Sequence, residues 1–322
     1  MSEIETPEIT LIRLLKGNVQ VVRDNGSLAN VEVSGENPDG EAFRGFDGQV
    51  TVGLADTVDQ KLELTGKTRK RTSTLRVNVW TVEQAGALEP AKTLHSKLVA
   101  EVNRVIRQNR LAPNQTVYSL YGLGAGSQTH QAYVGNAAAS PHAGSWLELT
   151  SEDYVKLWAP DSNSVTVSRS ESGETAALLF GFKPDSRKNV AKKVMVLFVG
   201  CGSASSGNYV SVQVWNHVTE AWEHTQSGSA DSDQTLAITL TADLPSYIDG
   251  EGYVWLLAQT SPSDGQTPSV LHCNYATCTV TVNGATYCDV SGYRDLHRAD
   301  TKPPIYRTEF TVKSWFFENI GV

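Results

Sequence analysis

Two indoles sit seven residues apart in SVQVWNHVTEAWEH: Trp215 and Trp222 flank the turn of an expected hairpin. An exposed indole face offers a pyranose its apolar side at little entropic cost, so the pair is a candidate glycan platform; the competing reading is ordinary packing. A second candidate is Gly66-Lys67-Thr68-Arg69-Lys70-Arg71, which places Lys67, Arg69, Lys70 and Arg71 within five residues of a chain whose net charge is −8. Such a run is either a solvated loop or a contact to an acidic partner or to DNA. The seven histidines are scattered, and only His217 and His224 lie either side of one turn. Asp231, Asp233, Asp243, Asp249 and Glu251 cluster in sequence, but loop acids of a β-sandwich are usually solvated or bind calcium. No GxSxG or HExxH pattern is present, so no catalytic residue is assigned and a non-enzymatic role is expected. Gly122, Gly124 and Gly126 make a GxGxG without the dinucleotide spacing and without a periodic helix after it, so no cofactor is expected. Cys201, Cys273, Cys278 and Cys288 lack zinc-knuckle spacing, and no metal site is expected; they read as buried thiols, with one disulfide among the last three as the alternative.

These residues need a scaffold, and 322 residues with 40% hydrophobic and 19% charged side chains can bury one or two proper cores. The acidic balance argues against a general nucleic-acid binder, leaving only a local contact. The start MSEIETPEIT lacks a basic region followed by a long apolar run, and no stretch approaches the roughly 20 apolar residues of a spanning helix, so a cytoplasmic start and no membrane partner are expected.

Thr6-Pro7-Glu8 is a helix start, and Ile9, Ile12 and Leu15 suggest a helix over about 7–16. Val50, Val52 and Leu54, then Leu75, Val77, Val79 and Thr81, alternate as half-buried strands. Leu94, Leu98, Val102, Val105 and Ile106 form one stripe of a second helix. From about Leu111 the chain becomes rich in Gly, Ser and Ala and reads as an arm or linker over 116–145. Eight short apolar runs between Trp146 and Val282, from YVKLW to TCTVTV, suggest a jelly-roll-like β-sandwich over 146–290. The closing run PPIYRTEFTVKSWFFEN alternates as a strand that must pair with something. The expected fold class is therefore α+β: a small mixed-sheet domain with packed helices built from 1–115 and 291–322, with the sandwich inserted between them.

RTSTLRVNVWT, the helix ending EVNRVIRQNR and the closing strand YRTEFTVKSWFFEN together resemble the tail-terminator or tail-completion proteins of tailed viruses. The resemblance covers about residues 1–115 and 300–322. It implies a structural virion protein at the head–tail junction, a ring of six copies of itself between the tail tube and the head connector, with genomic DNA passing its lumen. The middle part is similar to β-sandwich decoration modules through VSVQVWN and LPSYIDGEGYVWLLAQTS. The alternative is a carbohydrate-binding or adhesion module on a virion or cell surface, with glycans as partners. A ring is also what a small sheet with open edges favours, since closure with its own copies covers them.

Overall fold

The computed structural model describes residues 3–36, 45–62, 68–84, 86–135, 139–161, 163–298 and 300–319. In chain order the elements are α1 (Pro7–Asn18), β1 (Val31–Gly35), β2 (Gly48–Lys61), β3 (Thr68–Val82), α2 (Ala91–Gln108), β4 (Gln115–Ser119), β5 (His130–Gly135), β6 (Leu147–Glu148), α3 (Ser151–Lys156), β7 (Val165–Arg169), β8 (Ala177–Phe182), β9 (Ala191–Ala204), β10 (Gly207–Asn208), β11 (Val210–Asn216), β12 (Ala221–Gly228), β13 (Gln234–Leu240), β14 (Val254–Gln259), β15 (Ser269–Val282), β16 (Tyr287–Asp295) and β17 (Ile305–Asn319). Seventeen strands against three α-helices among the described residues make the chain mostly β, in three sheets, so the expected α+β class does not hold. That expectation gave too much weight to two well-signalled helices and too little to short strands in Gly-rich sequence.

The chain divides into two units, residues 3–116 with 282–322, and residues 117–281. The first unit has one sheet in the order β1-β2-β3-β17-β16, with β1 parallel to β2 and the other pairs antiparallel. β17 pairs β3 from Ile305 opposite Val82 to Asn319 opposite Thr68. The period-2 alternation sends Leu75, Val77, Val79, Phe310 and Val312 to one face, where they share a core with Leu14 and Leu15 of α1 and Leu98, Val102 and Ile106 of α2. Thr6 caps α1 by accepting from the Ile9 N–H, and Pro7 fills the first turn. The buried stripe of α1 is Leu11, Leu14 and Leu15, whereas Ile9, expected on that stripe, is 40% exposed. Arg13 turns inward to meet Glu5 at 2.9 Å, a fully buried ion pair whose carboxylate also accepts from Thr10.

The second unit is two six-stranded sheets packed face to face, β10-β9-β15-β4 with β13 on β9 and β7 on β15, against β12-β11-β14-β8-β5-β6. Phe180 of β8 meets Phe198 of β9 between them, their ring centroids 6.5 Å apart. Two expectations change here. Residues 116–145, read as an arm, carry β5 and most of β4, both built into the sheets. YVKLW, read as a strand, begins inside α3, because Thr150 accepts from the Asp153 N–H and its hydroxyl donates back to the Asp153 carboxylate. That is a capping arrangement which the apolar spacing of Tyr154, Val155 and Leu157 conceals.

Candidate functional site

The sheet β12-β11-β14-β8-β5-β6 buries Val212, Val214, Leu256 and Phe180 on its inner face, and alternation sends their neighbours outward. Across the outer face the register sets Trp222 opposite Trp215, while Leu257 lies opposite Gln213 and Leu179, and Leu179 opposite Tyr133. Trp255 lies opposite Gly181, and a Cβ at that glycine would come within 2.5 Å of the indole. Gly135 makes the same room for Trp146, at 2.6 Å. These two positions lack side chains because an indole lies flat on the backbone there.

The result is a second, small core on the outer face, made of Trp146, Leu179, Trp215, Tyr253, Trp255 and Leu257. Ala139 and Ala143 pack over it, and the segment is pinned by indole N–H bonds: Trp222 to the Ala139 carbonyl at 3.2 Å and Trp146 to the Ser140 carbonyl at 2.8 Å. Buried Asp249 anchors the other end, accepting from the Trp255 indole at 2.8 Å and from the Glu251 and Tyr253 N–H groups at 2.9 and 2.8 Å. Trp146, Trp222 and Trp255 are thus each oriented by a polar partner, which is how a large apolar group is held without rotational freedom.

One edge of this face stays open. Gln259 donates to Gln213 at 3.4 Å and Gln213 donates to Thr225 at 2.9 Å, a chain of side chains running toward the β12 edge. Primary amides offer donor and acceptor together, the combination that vicinal hydroxyls require. Half-buried Trp222 borders it. Below Trp222, the Glu223 carboxylate accepts from Tyr247 at 2.6 Å, Thr219 at 2.8 Å and Asn216 at 3.1 Å. Those bonds, Tyr247 first, hold Glu223 below the usual carboxylate range, and burial together with Glu223 pushes the Tyr247 phenol up to about 12. His224, at φ +56°, sits where β12 bulges against β11 and meets the Tyr247 hydroxyl at 2.8 Å.

The candidate pair Trp215 and Trp222 does meet, edge to face at 5.0 Å. Trp215 is only 8% exposed, so of the two Trp222 alone borders solvent to any extent. The basic stretch is divided by strand alternation. Lys67 lies outside the described residues. Lys70 faces away from the helices, over the Trp315 ring at 4.5 Å. Arg71 points the other way, into ion pairs with Asp59 at 2.7 Å and Glu318 at 3.3 Å; Arg69 shares that side of the strand, its Nε buried without a partner. The sequence cluster of acids does not form one site: Asp249 is spent on Trp255 and two backbone N–H groups, and Asp233 accepts from Asn274. Among the described residues no group of three or more His, Cys, Asp or Glu could hold a metal ion. The four cysteines are free; burial pushes the Cys273, Cys278 and Cys288 thiols up. No helix among the described residues is long and apolar enough to cross a membrane.

Gln213, Thr225, Gln259, Trp255 and the two glycines escaped the sequence reading. In VWLLAQ and ALLFGF both faces are apolar, so no alternation marks which side bears the indole; the lone glycine in ALLFGF is the one usable signal.

The profile of a family described as "Uncharacterized protein, C-terminal domain" matches residues 127–282, a little under half of the chain. No curated protein matches. Among solved structures the chain is similar to the xylan-binding module CBM15, at 9% identity and TM-score 0.30 over 53% of this chain and 99% of that one. A family 16 carbohydrate-binding module follows at 12% identity and TM-score 0.24, over 47% and 86%. The enzymatically active domain of tailspike protein 4 of bacteriophage CBA120 gives 9% identity and TM-score 0.23, over 52% of this chain and 19% of that one. With TM-scores this low, function has to be read from the residues of the site.

Proposed function

We propose that the second unit is a carbohydrate-binding module whose ligand lies on the open part of the outer face, along β11, β12 and β14. The observation that carries this reading is the amide chain Gln259–Gln213–Thr225 beside half-buried Trp222. Trp222 offers the stacking surface, and Trp215, edge-on beneath it, fixes its orientation without touching the sugar. Native affinity electrophoresis in gels carrying a panel of soluble polysaccharides tests the proposal. At least one polysaccharide should retard the protein, and Trp222→Ala and Gln213→Ala should each weaken that retardation by about tenfold. A wild-type protein that no polysaccharide retards, or variants retarded as strongly as wild type, would refute it.

A second reading concerns the first unit: a ring-forming virion component at the head–tail junction. What favours it is the outer edge of β2. β1 pairs it only as far as Val52, and beyond that Leu54, Val58 and Leu62 are 52%, 58% and 47% exposed. Pairing such an edge with a second copy covers it. Native mass measurement should give one closed oligomer; a monomer at every concentration sinks this reading.

A further inference from the structure

We infer that the face of the first unit's sheet turned away from α1 and α2 binds single-stranded nucleic acid. The strand register places side chains on that face in rows: Trp80 with Arg307, Asn78 with Glu309 and Arg294, and Arg76 with Thr311. Beyond them come Thr74 with Lys313 and Asp289, Thr72 with Trp315 and Tyr287, and Lys70 with Phe317. From β2, Asp56 joins the Thr74 row. Five cations therefore share the face with five carboxylates: Glu309, Asp289 and Asp56 are joined by Glu32 of β1, opposite Gln49, and by Glu36, whose carboxylate fills the space a Cβ at Gly53 would take opposite Arg76. The charges are segregated by strand: on this face the neighbouring strands β3 and β17 carry Lys70, Arg76, Arg307 and Lys313 with Glu309 alone, and the other four carboxylates belong to β16, β2, β1 and the end of β1.

Two of the five, Arg294 and Arg307, are engaged with Glu309 at 2.8 and 3.2 Å. Arg76 and Lys313 are exposed and make no ion pair among the described residues, and Lys70 has only the Trp315 ring. From Trp80 to Lys70 the face runs roughly 30 Å, with rows about 7 Å apart, so the cations follow one line along an extended chain. Aromatic rings are interleaved with them. Arg307 lies over Trp80 at 4.4 Å, Trp315 is stacked on Tyr287 at 3.6 Å, and Phe317, beside Lys70, is 57% exposed.

A cationic track with aromatic rings suits a strand whose bases are unpaired, because phosphates meet the cations while a base can lie on Phe317 or against the rim of Trp315. A duplex keeps its base faces stacked, and a flat sheet face enters neither groove. An acidic peptide would use the cations and leave Phe317 idle. Lys70 is the member of the basic stretch that belongs to this face, whereas Arg71 is committed to Asp59 and Glu318 on the other.

Fluorescence anisotropy of a labelled oligo-dT with the full chain, at stepped salt concentrations, decides the matter. Binding should be measurable at low salt and weaken as salt rises. The triple variant Lys70→Gln, Arg76→Gln, Lys313→Gln should lose at least tenfold in affinity, with the slope of log K against log salt falling by about 2. Phe317→Ala should lose roughly tenfold with its slope unchanged. Arg71→Gln, the same change of charge on the opposite face, should stay within about twofold of wild type. Absence of binding at low salt overturns the inference, as does a triple variant that binds like wild type. Equal competition by duplex DNA overturns it too, and so does equal competition by polyglutamate with no effect of Phe317→Ala, which would make this an acidic-peptide surface.

Discussion

The outer faces of the two units use the same residue types to opposite ends. In the second unit Trp146, Trp215 and Trp255 are nearly sealed beneath Ala139 and Ala143, and their ring N–H groups or neighbours are tied to backbone carbonyls and to Asp249. In the first unit Trp80 and Trp315 stand half-exposed among cations, with Arg307 and Lys70 against their faces. What separates them is the neighbour on the sheet. Where Gly135 and Gly181 let an indole lie flat, it becomes core; where Arg307 stands opposite Trp80 and Lys70 lies over Trp315, the ring stays half-exposed. An aromatic residue in a strand is thus not a site in itself, and its role is decided by the residues on the adjacent strand.

The sharpest way to break this comparison is to remove one ring from each face. Trp255→Ala should destabilise the second unit by about 3 to 5 kcal/mol, since it opens a cavity and strips the buried Asp249 carboxylate of its indole donor. Trp315→Ala should cost the first unit only about 1 kcal/mol, the worth of a half-exposed cross-strand stack on Tyr287. Hydrogen–deuterium exchange, followed separately in β14 and β3, gives both numbers. Comparable losses of protection would show that the half-exposed ring carries as much of its unit as the sealed one.

How much of this was readable from sequence depended on whether a face was one-sided. α2 was legible because Leu94, Leu98, Val102, Val105 and Ile106 are all buried on one stripe while Arg104 and Arg107 stay in solvent. α1 was legible in extent but not in orientation, because Arg13 is buried through Glu5 and Ile9 is not, an inversion that no hydrophobicity pattern encodes. Lys67 to Arg71 read as one patch, and of its described members the strand sends Lys70 to one face and Arg69 and Arg71 to the other. The indole face was hidden because β8 and β14 are apolar on both sides, the inner by the sandwich core and the outer by the small core above it. Trp222 could be nominated from its place beside a turn; the two amides and the Thr225 hydroxyl that accompany it come from three separate strands and no local signal joins them.

The two units also differ in how they keep a titratable group dry, and pH reads that difference at smaller amplitude. Asp249 has three N–H donors, whereas His95 of α2, only 4% exposed, has one partner: its Nε2 lies 2.9 Å from the Thr308 hydroxyl, which donates to Asp295, while Nδ1 is buried with none. Burial first, and then the ring of His297 centred 5.2 Å away, lower the His95 pKa to about 4 against the opposing pull of Asp295. The folded value is depressed, so the folded unit holds a neutral imidazole while the unfolded chain takes up a proton below the ordinary histidine pKa of about 6.5. The stability of the first unit is therefore complete above pH ~6.5 and falls as the pH drops toward 4, by up to about 3 kcal/mol, with no further loss from this group below that. In the second unit burial also lowers the His130 pKa, which adds a decline of its own over part of the same range. Urea unfolding of the first unit between pH 7 and 4 should show the slope, and His95→Gln, which leaves a neutral amide at that position, should flatten it. A wild-type profile that is already flat, or one unchanged by His95→Gln, would mean that the helix–sheet joint relaxes to let water reach the ring, and the contrast with Asp249 would fail.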